Sequence, residues 1–289
     1  MRIAKGRGLN VRLSTARNLL KLGLLFVVLA LPPTAIGYLL GRWNAALLFL
    51  FASLLTAAIV YSFCDRFVLS MLGARELVIG ERPSLHATVE TLAARAGVVK
   101  PRLYLIADSF PRSLSVGRGR TSGSIVLSLG LLTAASSAEL EGLISHELAH
   151  IRNHDVAVQT ASVTTAATIV ELTHFAGFMQ RGMLFVLAPI AAAVESLLLS
   201  PKREYDADLS AAALCGSPHG LADALLRLES ASELVSFAAS PTTEPLYPIN
   251  PFDRGDRLAR MFETHPPLPQ RIARLRELDP DWREKLLVA

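Results

Sequence analysis

His146, Glu147 and His150, within "SHELAHIRNHD", place two imidazoles four positions apart with a carboxylate next to the first. On a helix four positions is just over one turn, so both rings leave the same face and can share one tetrahedral zinc ion. Glu147 lies about 100° round the helix from His146, where it reaches a water without becoming a ligand. Zinc lowers the pKa of such a water to about 7, and Glu147 is placed to take its proton as the oxygen attacks a peptide carbonyl. The competing explanation is a surface helix with two solvated histidines.

Such a site needs a third ligand. His154 is a poor one, because another turn of a straight helix carries it roughly 6 Å past an ion held by His146 and His150. The metzincin alternative requires a glycine bend and a histidine where this chain has Val156. "KREYDADLSAA", from Lys202 to Ala212, offers Glu204 and Asp208 four apart on one helical face. That spacing lets Glu204 ligate zinc while Asp208 accepts a hydrogen bond from a ligand imidazole and fixes its tautomer.

Several elements must hold these groups. Pro83 to Ala96 has helical apolar spacing and stops at Gly97. Arg102 to Ala107, the stretch from Ser113 and Ser124 to Leu129 read as strands, with glycine-containing turns between them. Ser136 and Glu139 have capping-box spacing, and Leu140, Leu143, Ile144, Leu148 and Ile151 form an apolar stripe, so the motif sits on an amphipathic helix. Further helices are expected from Lys202 to Gly216, after Ser217-Pro218, and from Gln270 to Leu278. The proline-rich Ala238 to Pro269 reads as a long ordered loop.

The chain of 289 residues is 51% hydrophobic and only 19% charged, with a mean hydropathy of +0.39, which points to a membrane. Leu22 to Leu40 and Ala45 to Phe63 are uncharged runs of about nineteen residues each, near the length that crosses roughly 30 Å of hydrocarbon. Gly41-Arg42-Trp43-Asn44 joins them, giving a transmembrane hairpin. Arg2, Lys5, Arg7, Arg12, Arg17 and Lys21 precede it without an acidic residue, so the positive-inside rule places this tail in the cytoplasm. A second span following at once argues against a cleaved signal peptide.

Val156 to Ser200 is a further apolar region, carrying Glu171, His174 and Glu195. It reads as two more spans, a re-entrant pair or membrane-associated helices, with an even number of crossings preferred. The net charge of +4 comes with no basic stripe interleaved with aromatics, which excludes nucleic acid as a partner. Cys64 and Cys215 fit neither a disulfide framework nor a multi-cysteine zinc site and read as inert thiols.

"SHELAHIRNHD", "KREYDADLSAA", "YPINPFD" and "THPPLPQRIARL", in that order behind a hydrophobic hairpin, resemble the HtpX-type integral-membrane zinc metalloproteases, relatives of the CAAX prenyl proteases. The resemblance covers most of the chain from Leu19 to Leu278. It implies that His146, His150 and Glu204 bind zinc, that Glu147 is the general base, and that Asp208 orients a ligand from behind. It further implies that His265 and Arg271 approach the site, with His265 stabilising the oxyanion. Where the family has Asn-Ala-Phe after a proline, this chain has Arg112-Ser113-Leu114 after Pro111, the expected edge strand for an extended substrate.

The expected fold is α+β: a mainly helical gluzincin-type zincin with a small β-sheet, an N-terminal transmembrane hairpin and a further hydrophobic helical insertion. The expected organisation is a basic cytoplasmic tail (1–21), the hairpin (22–63), a protease domain (64–155 and 201–289) and the insertion (156–200). The expected function is a zinc-dependent endopeptidase of the cell membrane, multi-pass, with its site facing the cytoplasm. Its partners would be the bilayer and unfolded or misfolded proteins, in a quality-control role. Two alternatives are an intramembrane site-2-type protease, disfavoured because no Leu-Asp-Gly tripeptide occurs, and a non-catalytic membrane adaptor. The sequence specifies neither substrate nor oligomeric state.

Overall fold

The computed structural model describes residues 2–171, 173, 180–234, 241–249 and 264–280. The first element, α1 (Arg2–Met71), is two helical arms joined at Gly41 and Arg42, whose dihedrals leave the helical region. Phe26 and Tyr61 meet edge to face with centroids 5.8 Å apart, whereas one straight helix would part them by about 50 Å. The arms therefore run antiparallel, as expected of the hairpin. Gly37 permits the close approach, since a Cβ there would stand 2.8 Å from the Ala45 carbonyl oxygen and 3.0 Å from Phe49 Cβ. Small residues at such crossings let helix backbones approach in lipid. Leu39, Leu40, Trp43, Leu47 and Phe51 are exposed near the turn, and Tyr38 stacks edge to face on Trp43 at 5.1 Å. Thr15–Met71 is, among the described residues, the helical segment long and apolar enough by itself to cross a membrane. The helix also runs back through the basic segment.

Past the hairpin come β1 (Arg75–Glu76) and α2 (Pro83–Ala96), then β2 (Arg102–Ile106), β3 (Ser113–Val116) and β4 (Ser124–Ser128). The helix α2 starts with proline at its first turn and ends on Gly97 in the left-handed region (φ 70°), the asymmetry its sequence announces. The sheet order is β1-β2-β4-β3; β2 and β4 are parallel, β1 pairs antiparallel with β2, and β3 antiparallel with β4. The two-residue β1 carries no alternating signal, so it escapes a reading based on periodicity.

Period-two alternation divides the sheet between two cores. Leu103, Leu105, Ile125 and Leu127 face α2, α4 (Ser137–Asn153) and α8 (His219–Leu234). Ile106, Leu114, Val116 and Val126 face Val68 and Leu69 of the second arm of α1, Val163 and Tyr247. Ser113 lies opposite Leu127 in the register, so its side chain turns toward α4.

The motif helix α4 begins with the full capping box: Ser136 Oγ accepts from the Glu139 N–H, and the Glu139 carboxylate accepts from the Ser136 N–H. It is buried along most of its length, packed between the sheet and α8. Gly142 and Gly220 allow that contact; a Cβ on Gly142 would lie 2.5 Å from Leu221 N, and one on Gly220 2.2 Å from Ala138 O. The short α3 (Leu129–Ala134), capped by Ser128, links β4 to α4.

The apolar insertion forms α5 (Asp155–Glu171) and α6 (Gln180–Leu198). It lies against the first arm of α1, where Leu22 and Leu25 pack with Val158, Ala161, Leu198 and Leu199. Most of α5 is buried, while α6 exposes Phe185, Val186, Ile190 and Leu197. Gly182–Leu198 reaches the length and apolarity of a span only together with Lys202–Cys215, across a 49° bend. His174 lies outside the described residues, as does Asn250 to Asp253 of the "YPINPFD" stretch. The remaining elements are α7 (Lys202–Cys215), a 3-10 turn (Pro241–Leu246) within the expected loop, and α9 (Leu268–Glu277). Cys64 and Cys215 are free thiols.

Candidate active site

Helices α4 and α7 cross so that His146, His150 and Glu204 each point a ligand atom into one space, all within 4.8 Å of one another. The Nε2 atoms of His146 and His150 are 3.2 Å apart. Glu204 Oε2 is 3.4 Å from His146 Nε2, and Oε1 is 3.6 Å from His150 Nε2. All three residues are buried, as is Glu147, whose Oε1 accepts a 2.9 Å hydrogen bond from Ser113 on β3.

A layer of groups stands behind these. Asp208 Oδ1 lies 3.0 Å from His146 Nδ1, and Arg271, from α9, donates to both Asp208 oxygens at 2.8 and 2.7 Å. Arg271 also donates to the Pro248 carbonyl and comes within 3.5 Å of Glu204 Oε2. His150 Nδ1 is 3.3 Å from Asp155 Oδ2. His265 turns Nδ1 to Glu244 at 2.6 Å and Nε2 toward Glu204 Oε1 at 3.8 Å. Glu244 is fixed in turn by the Thr264 N–H and hydroxyl.

The electrostatics favour a cation. Burial works against charge on Glu204, yet His150 and His265 hold its carboxyl well below the usual range. Burial also disfavours a charged ring at His150, but Glu204 and Asp155 outweigh it and push that ring up to about 10. His146 is raised likewise, with burial opposed by Asp208 and Glu204. Asp208, despite burial, is lowered by Arg271. Both Glu204 oxygens and His265 Nε2 are buried without hydrogen-bond partners; such groups are costly unless something else satisfies them. Two imidazole nitrogens and a carboxylate around one point suit a divalent metal ion and meet that need.

Residues 80–279 match Peptidase family M48. The chain belongs to that peptidase family. Among its M48 relatives are proteins named "Protease HtpX homolog". That of Pelotomaculum thermopropionicum is 35% identical over 276 residues, covering 89% of this chain and 98% of that one. That of Pyrococcus abyssi is 35% identical over 276 residues, covering 90% and 95%, and that of Acidiphilium cryptum 36% over 278 residues, covering 90% and 96%. The crystal structure of S. mikatae Ste24p compares with a TM-score of 0.49 at 20% identity, over 92% of this chain and 66% of that one.

Within this M48 peptidase His146, His150, Glu204, Asp208, His265 and Arg271 are joined by contacts of 3.8 Å or less, and Glu147 is buried on the helix that carries the two histidines. His154 does not. It ends α4 in the left-handed region (φ 61°), and that reversal sends His154 away and returns Asp155 beneath His150. Sequence reasoning missed Asp155, Glu244 and Ser113. Asp155 stands one helical turn plus one residue past His150, a position with no helical reason to come back until the break at His154 is known. Glu244 sits in a proline-rich segment without periodicity. Ser113 could have been found, because strand alternation sets it on the face opposite Leu114.

Proposed function

We propose that this M48 peptidase is a membrane-anchored zinc endopeptidase that cuts extended segments of unfolded or misfolded proteins, including membrane proteins in quality control, with its site on the cytoplasmic side. The observation that carries the reading is the convergence of His146, His150 and Glu204 on one space, with Glu147 buried on the same helix next to His146. In this reading residues 64–155 and 201–289 form the catalytic unit, 22–63 the transmembrane hairpin and 156–200 a membrane-associated insertion.

His146, His150 and Glu204 would hold zinc, which when bound supplies Lewis acidity to a water and to the scissile carbonyl. Glu147 accepts the proton of the attacking water as its oxygen bonds to the carbonyl carbon, then gives that proton to the departing amine as the C–N bond breaks. Ser113 holds one Glu147 oxygen, which leaves the other for the water. His265, with Nδ1 tied to Glu244, presents Nε2 to the site, where an N–H would donate to the developing oxyanion. Asp208 keeps His146 in the tautomer whose Nε2 faces inward, and Arg271 keeps Asp208 ionised.

The strand β3 ends the sheet, the position at which an extended chain adds by backbone pairing. Its residues are nonetheless buried, with Leu246 and Tyr247 packed against Leu114 and Val116.

Purified full-length protein is expected to cleave casein, to stop when chelated, and to lose turnover in Glu147→Gln with zinc content unchanged. Cleavage persisting in Glu147→Gln would reject the assigned base.

A further inference from the structure

The membrane hairpin touches the site's outer layer. Asn18, on the first arm of α1, is buried, which is unusual for an amide in a segment otherwise rich in exposed leucine. Its Nδ2 donates to Asp155 Oδ1 at 2.6 Å and to the Asn153 carbonyl at 3.1 Å. Both partners are acceptors, so only the NH2 face of the amide can point there. The other Asp155 oxygen is the one facing His150 Nδ1, at 3.3 Å. The result is a line from Asn18 through Asp155 to His150, joining residues 137 apart in the chain.

Each link has a local cause. The reversal at His154 leaves the last carbonyls of α4 without helical partners, and the bond to Asn153 O caps one of them. The same reversal brings Asp155 to the first turn of α5, where the helix dipole favours its carboxylate. One amide with two N–H groups thus pins both sides of the α4–α5 junction and fixes the rotamer of the carboxylate that orients His150. Lys21, one turn further along, donates to the Leu198 carbonyl at the end of α6 and holds the arm in place.

We propose that Asn18 is a positioning residue for the metal site: the arm that anchors the protein to the membrane also sets, through Asp155, the orientation of the ligand His150. This rests on the zinc reading above. Carboxylates that orient a ligand histidine matter to metal binding by about 10–100-fold, and Asn18 acts on that carboxylate.

The test uses the full chain in detergent. Zinc affinity is measured by competition with a chromophoric chelator, and the melting temperature is recorded with and without zinc. Asn18→Ala is expected to weaken zinc binding about tenfold and to shrink the rise in melting temperature on zinc addition, while the zinc-free form melts close to wild type. Asp155→Ala should weaken binding as well, and the double variant should add little to it. Asn18→Asp keeps the volume but loses the donor, so it should weaken binding at least as far even if Asn18→Ala folds poorly. Zinc affinity within twofold of wild type in a folded Asn18→Asp protein would overturn the proposal. So would an equal drop in melting temperature with and without zinc, which marks a purely structural bond. If wild type and Glu204→Ala bind zinc alike, the zinc reading itself fails; if only the Asn18 variants are silent, that reading stands and this inference alone is lost.

Discussion

Arg271 and Asp208, 63 positions apart, are joined by two parallel hydrogen bonds of 2.8 and 2.7 Å inside the protein. The pair ties α9 to α7 directly behind His146. Arg271 is among the largest fully buried side chains, and a buried guanidinium is tolerated only with its charge and donors matched. Asp208, Glu204 and the Pro248 carbonyl supply that match.

Removing the cation should therefore cost more than the lost bonds. Arg271→Met leaves Asp208 with only the His146 ring beside it, and a broken buried pair destabilises by about 3–5 kcal/mol. Urea denaturation of the two proteins checks this. Arg271→Lys should recover only part of the loss, because an ammonium cannot form both parallel bonds.

Proton release should accompany metal loading. The carboxylates around His150 push its ring up to about 10 in the metal-free protein, so at pH 7 the ring carries a proton that a ligand cannot keep. Zinc affinity should rise between pH 6 and 8. Calorimetric titration in two buffers of different ionisation enthalpy should show protons passing to the buffer on binding.

The capping box gives a second, independent pH effect. Burial would raise Glu139, but the Ser136 N–H and Arg227 hold it below the usual glutamate range. A lowered carboxylate stabilises the fold above its unfolded value and loses that contribution as pH falls through the folded one. Glu139→Gln should flatten the decline in stability as pH falls through and below the usual glutamate range. Ser136→Ala should cost about 1 kcal/mol at pH 7.

The crossing of α4 and α8 has no room for a side chain at Gly142, where a Cβ would meet the Leu221 backbone at 2.5 Å. Gly142→Ala should destabilise by about 1–3 kcal/mol through forced separation of the helices, despite the better helix propensity of alanine. Thermal unfolding distinguishes the two signs.

The parts of this structure legible in the sequence are those where local chemistry and tertiary role coincide. Ser136 and Glu139 announce the start of α4, Gly97 the end of α2, and His146 with His150 share a face because helical spacing requires it. The hairpin was readable from two uncharged runs with a glycine between. What stayed hidden depends on a break in periodicity. Nothing in local spacing says that His154 adopts a left-handed conformation and folds Asp155 back under His150, or that Asn18 reaches that junction from the anchor. Glu244 approaches His265 only through a turn dense in proline, where neither helical nor strand spacing applies. His265 itself was found by resemblance, since a loop histidine carries no signal of its own.

In the proposed reading Glu204 completes a metal site with His146 and His150. Its most direct test is the zinc content, by elemental mass spectrometry, of wild type and Glu204→Ala purified side by side in the same detergent and equilibrated with equal zinc. One equivalent of zinc per chain is expected in the wild type and a loss of most of it in Glu204→Ala, with the folded state retained. A Glu204→Ala protein that keeps the full equivalent would contradict that reading.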